Sequence, residues 1–251
     1  MEQRGKCKQS KTNWKRSTAR FEEVVVATRS LPQAEWRRAY AFGVLVSALC
    51  NLRLLDIVVR HLRYALDVNI GDYFEGLLDG FRADTDPHSV GRALTSVLDR
   101  HLSGIEAGGA LRRALPVTGG HLWDVDGAVA VTALAQHARF YDEVTRHSLS
   151  YLQAQVSEAD GARIAELIRV QALLTPRLGA TEVTTRLAHD WVTTLDQARA
   201  GSHRPPPSPG GLVACEPAPA SEAATFEELA VTHLRASYES HGYRGRLIRP
   251  A

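Results

Sequence analysis

Four neighbouring residues are the clearest candidates for binding chemistry: Trp36, Arg37, Arg38 and Tyr40. Aromatic rings supply flat contact area, and guanidinium groups bind carboxylate or phosphate through paired hydrogen bonds. The cluster therefore predicts a ligand or docking surface at the start of an apolar helix. The other interpretation is an aromatic pair that anchors the domain beside a solvated basic edge.

Catalytic and metal motifs are missing from the sequence. It has no Walker loop, no strand–GxGxxG–helix context, no Gly-x-Ser-x-Gly elbow and no His-Glu-x-x-His pair. The ten histidines are not paired at metal-ligand spacing. Asp124 and Asp126 could hold a divalent cation, but they precede an expected helix, where carboxylates cap free N–H groups. We therefore predict no catalytic, cofactor-binding or metal-binding residue in this chain.

Cysteine usage and hydropathy indicate a cytoplasmic protein. Cys7, Cys50 and Cys215 lie too far apart for a local disulfide framework, so we expect reduced thiols. The longest uncharged stretch, Ala39 to Leu52, has fourteen residues. A membrane span needs about 18 or more apolar residues, so this stretch predicts a buried core helix instead.

Charge divides the chain near residue 20. All four lysines fall in the first fifteen residues. Residues 1–20 carry a formal charge of +6 and the whole chain carries +2, so the remaining residues carry −4 and the body is acidic. We predict a disordered basic leader over residues 1–20. Such a leader could contact nucleic acid or an acidic partner through counterion release.

Hydrophobic spacing predicts a mainly α fold: an irregular helical domain with a few short β-strands. Three valines indicate a strand over 21–28, and Ser30 and Pro32 open the helix that follows. An irregularity is expected near Cys50 and Asn51. The other expected helices cover 52–66, about 74–81, a segment capped by Asp86-Pro87 that extends to 105, 126–153 as one long helix, and Ser157 to Pro176. Two further strands are expected, near 111–115 and over 181–187. A capping box at Thr225 and Glu228 is expected to begin the last helix.

These elements suggest four regions. The predicted helical domain covers residues 21–200, and a Pro-rich loop or linker covers 201–222, where six of the eleven prolines lie. Residues 223–251 are expected to form a C-terminal helix and tail that pack on the domain.

One block, EEVVVATRSLPQAEWRRAYAFGVLVSALC, resembles the region after the catalytic barrel in cobalamin (B12)-binding-domain radical SAM proteins. The matching positions are Val26-Ala27-Thr28, Leu31-Pro32, Glu35 to Tyr40, and Phe42. Two later segments, Asp72 to Leu78 and Arg139 to Glu143, look like the aromatic Y-x-x-F-Y-x-x-L-L and r-F-Y-x-E segments of that family. Tyr243 to Arg246 is a faint counterpart of the family's C-terminal end.

The departures from that family concern its chemistry. Its enzymes hold a [4Fe–4S] cluster on a Cys-x-x-x-Cys-x-x-Cys motif, and the cluster cleaves S-adenosylmethionine. The three cysteines here cannot form that motif, and the cobalamin-binding domain would lie upstream. The resemblance therefore implies that cluster, S-adenosylmethionine and cobalamin belong to missing domains, and that no catalytic residue carries over.

Three hypotheses follow. The first is a non-catalytic accessory or substrate-side region, either a fragment or separately encoded, whose partner is a radical SAM/cobalamin-binding core. It predicts an exposed apolar patch for docking, and complete coverage of residues 21–66 by the chain itself would count against it. The second is an independent helical module whose basic tail contacts nucleic acid or an acidic partner. The third is an enzyme with a deep pocket near Trp36, Tyr40 and neighbouring histidines.

Overall fold

A computed structural model describes residues 3–9, 20–28, 30–109, 112–199, 209–238 and 245–249. Over these ranges the fold is mainly α with short antiparallel strands, as predicted. The helices are α1 Gln33–Val46, α2 Asp56–Ala65, α3 Ile70–Ala83, α4 Val90–Glu106, α5 Val125–Ala135, α6 His137–Leu152, α7 Glu158–Leu174, α8 Trp191–Arg199 and α9 Phe226–Tyr238. The strands are β1 Gln3–Gln9, β2 Arg20–Ala27, β3 Arg113–Ala114, β4 Leu122–Trp123, β5 Val183–Arg186, β6 Leu212–Glu216 and β7 Arg246–Ile248.

The helix that begins after Pro32 runs into the middle of the domain. Its predicted irregularity is confirmed, because α1 continues into a π-helical turn, Ser47–Asn51. The chain then bends by 99° before α2. Arg53 stands at this corner with φ +63°, a left-handed conformation that usually selects glycine. The predicted helix over 52–66 thus begins only at Asp56, because the corner takes up the residues before it.

Side chains from three helices fix this corner. Each donates a hydrogen bond to one of three consecutive backbone carbonyls: His233 of α9 to Leu52 (3.0 Å), Gln171 of α7 to Arg53 (3.1 Å) and Tyr141 of α6 to Leu54 (2.8 Å). Carbonyl groups buried at a helix end need such partners. The corner therefore ties the first two helices to the later half of the chain.

Two helix predictions need correction. Asp86-Pro87 does not cap α4: Ser89 is the N-cap residue, and its hydroxyl accepts a hydrogen bond from the N–H of Arg92. The expected single helix over 126–153 is two helices, broken at Gln136, whose φ of −124° and ψ of 40° leave the helical region. No glycine or proline marks this break. It arises because α5 packs on α4 and α9, whereas α6 packs on α3 and α7.

The terminal regions also differ from expectation. Within the predicted disordered leader, residues 3–9 form β1, which pairs antiparallel with β2 from Gln9–Arg20 to Gln3–Ala27; residues 10–19 lie outside the described ranges. Within the predicted Pro-rich loop, Leu212–Glu216 is the central strand of a sheet ordered β5-β6-β7, while 201–208 lie outside the described residues. In both cases the segment forms backbone hydrogen bonds with another strand: β1 with the next strand, β2, and β6 with β5 and β7. The expected boundaries at residues 20, 200 and 222 stay predictions.

Several local predictions are confirmed. Strands occur at 20–27, 113–114 and 183–186. Ser157 caps α7, because its hydroxyl accepts a hydrogen bond from the Asp160 N–H (3.1 Å). The Thr225 hydroxyl likewise accepts a hydrogen bond from the Glu228 N–H (3.2 Å) at the start of α9. A continuous hydrophobic core joins these elements.

Among the described residues, no single helix is long and apolar enough to span a bilayer. The segment formed by α1 with its π-turn reaches that length and composition only when it is combined with α2, across the sharp bend.

Candidate functional site

The four residues of the predicted surface lie in the first two turns of α1. Residues 36, 37 and 38 are each about 100° apart around the helix, so they leave it in three directions, whereas residues 36 and 40 lie on one side. Trp36 is only 9% exposed, and its ring centroid lies 5.3 Å from that of Tyr40. The Tyr40 hydroxyl lies 3.1 Å from Nε2 of the buried His101 on α4. The aromatic pair thus packs α1 against α4.

The two arginines bind carboxylates on different helices. Arg37 lies 2.5 Å from Glu106 at the end of α4, and the Gln33 amide donates to the same carboxylate (2.7 Å). Burial acts to raise the pKa of Glu106, but the hydrogen bonds from Gln33 and Arg37 outweigh it and the pKa is lowered. Arg38 instead pairs with Glu75 of α3 at 2.6 Å. The four side chains therefore do not converge on one ligand position.

The pair Arg38 and Glu75 forms the exposed part of this region, and we call it the α1–α3 rim. The two side chains are 60% and 46% exposed. Exposed ion pairs contribute about 0–1 kcal/mol to stability, so this pair is free to be exchanged for a partner's charges at little cost to the fold.

Asp124 and Asp126 are engaged by the protein itself. Asp124 occupies the N-cap position of α5, but its carboxylate accepts from Arg112 (2.8 Å) rather than capping the helix. Asp126 accepts from the Ser47 hydroxyl (2.8 Å) and from the Gly127 N–H (2.8 Å). Over the described ranges, no three His, Cys, Asp or Glu side chains are placed to hold a metal ion.

Sequence reasoning missed Glu143 of α6 as a structural anchor. Its carboxylate, 5% exposed, accepts from the Ser89 hydroxyl (2.9 Å) and from the N–H groups of Val90 (2.9 Å) and Gly91 (2.8 Å). It thus caps α4 from another helix, where a negative charge also meets the positive end of the helix dipole. The sequence signal was the r-F-Y-x-E segment, but nothing in it identified α4 as the partner.

A polar groove lies beside this cap, between the first turns of α4 and the α5–α6 junction; we call it the α4 groove. Its volume is about 530 Å³. Six of its eight lining residues are polar: His88, Ser89, Arg92, Ser96, Gln136 and Arg139.

A second missed cluster surrounds Glu166 of α7. Its carboxylate accepts from the backbone N–H groups of Ala188 (2.6 Å) and His189 (3.1 Å) and from the Trp191 indole (2.8 Å), and it lies 2.8 Å from His189 Nδ1. Burial acts to raise the pKa of Glu166, but these hydrogen bonds outweigh it and lower the pKa. The ionised carboxylate therefore holds the loop before α8 on α7.

The histidines and thiols in the core are neutral groups. Burial is the largest cause that lowers the pKa of His61, His137 and His233, each to about 4. Burial also raises the pKa of the free thiols Cys50 and Cys215, to about 12 and about 11 respectively. A neutral thiol is a poor nucleophile, so these two cysteines act as small core residues.

Comparison with protein-family models and with curated proteins gives no match to this chain.

Proposed function

We propose that this chain is a non-catalytic accessory region that packs against a cobalamin-binding radical SAM core and helps to close its site or choose its substrate. The proposal includes a cytoplasmic location. The observation that carries it is the block from Val26 to Phe42, whose residues resemble the segment after the catalytic barrel in that family. The chain would be either a fragment of such an enzyme or a separately encoded region.

The resembling segments supply the framework of the fold, and this supports a shared architecture. Trp36 of the first block is buried on α1, Tyr73 and Phe74 of the second segment are fully buried on α3, and Tyr141 of the third holds the helical corner. Residues that pack α1, α3 and α6 together are those that a common fold would require.

The α1–α3 rim is where two resembling segments meet at the surface. Arg38 belongs to the first block and Glu75 to the second, and they pair across two helices at 2.6 Å. Strand β2 offers a second contact, because among the described strands it pairs only with β1. A strand with an unpaired edge accepts a strand from a partner. We place the docking contacts at these two positions.

Over residues 30–66, the part of this block whose side chains are described without a gap, the apolar side chains are mostly covered by the chain itself. This weighs against docking through an apolar patch. Leu45, Leu49 and Leu54 are fully buried, whereas the exposed large apolar residues between 30 and 66 are Leu31 (36%) and Tyr64 (55%). The core of a radical SAM partner would therefore meet polar groups and backbone here rather than a wide hydrophobic face.

A binding measurement tests this function. The probe is a cobalamin-binding radical SAM protein truncated after its catalytic barrel, mixed with the full chain and followed by size-exclusion chromatography and biolayer interferometry. We expect a 1:1 complex that Arg38→Glu weakens about tenfold, since reversing one interfacial charge costs on the order of 1–2 kcal/mol. Arg60→Glu, on an exposed position of α2, is the matched control and should bind as the unchanged chain does. Absence of a complex, or equal loss in both variants, would contradict the proposal.

The DNA immediately upstream provides an independent check. A same-strand reading frame that ends in cobalamin-binding and radical SAM segments would support the proposal, and an unrelated upstream gene would count against the fragment version.

One observation favours a second candidate function, an independent module that contacts nucleic acid or an acidic partner. Residues 1–20 carry seven basic side chains against one acidic residue, and part of this region forms the β1–β2 ribbon. A two-stranded ribbon fits the major groove of DNA. This function predicts salt-dependent binding to duplex DNA that disappears when residues 1–20 are deleted. Unchanged binding after the deletion would refute it.

A further inference from the structure

The α4 groove exists because of two backbone features that the sequence did not predict. One wall follows from the break at Gln136, which turns α6 away from α5. The other follows from the turn before α4, in which the Asp86 carboxylate accepts from the His88 N–H (2.8 Å) and Ser89 rather than Asp86 caps the helix. Departures from local sequence preference that the fold nevertheless maintains are typical of functional sites.

Arg139 is held rigidly at the edge of this groove. Its guanidinium donates to Asp86, and its Nε lies 3.4 Å from the buried carboxylate of Glu143. A guanidinium fixed in this way loses little conformational entropy when its remaining N–H groups bind a ligand.

Arg92 supplies a second guanidinium charge, from the first turn of α4. Its guanidinium donates to the carbonyl oxygen of Thr85 (3.4 Å), and within the described ranges no carboxylate is paired with it. Among the described residues that line the groove there is no aspartate or glutamate, although Asp86 and Glu143 contact Arg139 from behind the lining. Ser96 and Gln136 add a hydroxyl and an amide. The lining thus combines two guanidinium groups with neutral hydrogen-bonding groups, and Pro87 and Ala93 are its apolar members.

We propose that the α4 groove binds a small hydrophilic phosphate ester, with Arg92 and Arg139 on the phosphate and with Gln136 and Ser96 on the hydroxylated remainder. A phosphate group carries about −1.5 to −2 charges at neutral pH and accepts hydrogen bonds from several directions, which suits two guanidiniums on different helices. The groove volume of about 530 Å³ exceeds that of a bare phosphate and lies within the ~300–1,000 Å³ range of small-molecule sites. This site does not depend on the function proposed above.

The test uses the full chain and ribose 5-phosphate as the probe, with ¹⁵N-detected chemical-shift titration and calorimetry. We expect saturable shifts at the amides of Arg92, Ser96 and Gln136. Ribose, which lacks the phosphate, should cause none, and citrate, a carboxylate anion of comparable size, should bind at least tenfold more weakly.

Two variants probe the groove without disturbing the core. Arg92→Gln removes an exposed charge and should raise the Kd about tenfold or more, because a charge-assisted hydrogen bond contributes roughly 1.5–3 kcal/mol. Gln136→Ala should raise it about threefold, in keeping with one neutral hydrogen bond. Arg60→Gln on α2 is the control and should bind normally.

Three outcomes would overturn the proposal: no saturable shift at the groove, an unchanged Kd in Arg92→Gln, or equal affinity for ribose 5-phosphate and citrate. Circular dichroism of each variant separates lost binding from lost folding.

Discussion

Acidification should destabilise this protein well before its carboxylates titrate, and His233 shows why. The imidazole of His233 is 2% exposed on α9, and its Nε2 lies 3.0 Å from the carbonyl oxygen of Leu52 at the helical corner. Burial is the largest cause that lowers the pKa of His233 to about 4; the hydrogen bond to Leu52 acts to raise it, and the charge of Arg53 lowers it further.

The direction of the pH effect follows from where the proton binds. The unfolded chain takes up a proton on this histidine near pH 6.5, whereas the folded protein takes it up only near pH 4. Between these values the unfolded state binds more protons, so stability is complete above pH 6.5 and falls as the pH falls towards 4. Linkage gives a loss of about 2 kcal/mol between pH 7 and pH 5 for this one residue.

His61 and His137 have pKa values lowered to the same level, chiefly by burial. The three histidines together should therefore remove on the order of 5 kcal/mol between pH 7 and pH 5. That loss is comparable to the whole stability of many domains, about 5–15 kcal/mol. Carboxylates contribute little in this window, because their ordinary pKa values lie near 4.

The assay is urea unfolding followed by circular dichroism at pH 7, 6 and 5. His233→Gln keeps an N–H donor near Leu52 but cannot titrate, so its free energy of unfolding should fall by about 2 kcal/mol less than that of the unchanged protein over this range. His88→Gln, at an exposed position, is the control and should show the normal pH dependence. Identical pH dependence in His233→Gln and the unchanged protein would refute the reasoning.

Three further substitutions test the packing. Arg53→Gly should raise the free energy of unfolding by about 1 kcal/mol in urea titration, because glycine adopts the left-handed backbone conformation of this position without steric cost. A lower free energy of unfolding would show that the backbone of Arg53 is not strained. Glu143→Gln should lower the melting temperature, with a cost of about 2–3 kcal/mol, because it weakens the charge-assisted cap on α4; an unchanged melting temperature would show the cap to be unimportant. Gly91→Ala should lower the free energy of unfolding by about 1–3 kcal/mol, because the added Cβ would overlap the buried Phe81. Gly43→Ala, at an exposed helical position with open space around it, should raise that free energy by about 1 kcal/mol. Equal effects of the two substitutions on urea unfolding would refute this contrast.

Local interactions explain which elements could be predicted. The strand over 20–27, the cap at Ser157 and the capping box at Thr225 depend on residues within four positions of each other, so their patterns are visible in the sequence. The buried character of α1 followed from an uncharged stretch in the same way. The break at Gln136 and the strand β6 were missed because long-range packing and pairing produce them against weak local preference.

The candidate site shows the same division. That Trp36 and Tyr40 share one side of a helix follows from their spacing alone. That Arg37 pairs with Glu106 and Arg38 with Glu75 does not, since those partners lie on α4 and α3. Glu166 and Glu143 escaped notice for the same reason, because a single carboxylate in a helix carries no mark of the distant N–H groups it will accept from.

The sequence by itself determined the helical class, the strand–turn–helix order at the start of the domain, and the lack of a Cys-x-x-x-Cys-x-x-Cys motif. Residue type and spacing along one segment decide all three. Only the tertiary structure decided the sharp corner at Arg53, the cap of α4 by Glu143 and the groove that Arg92 and Arg139 share. Each of these features brings together residues more than forty positions apart in the sequence. Such contacts depend on the packing of whole elements, because buried polar groups need hydrogen-bond partners and apolar faces are stabilised by their removal from water.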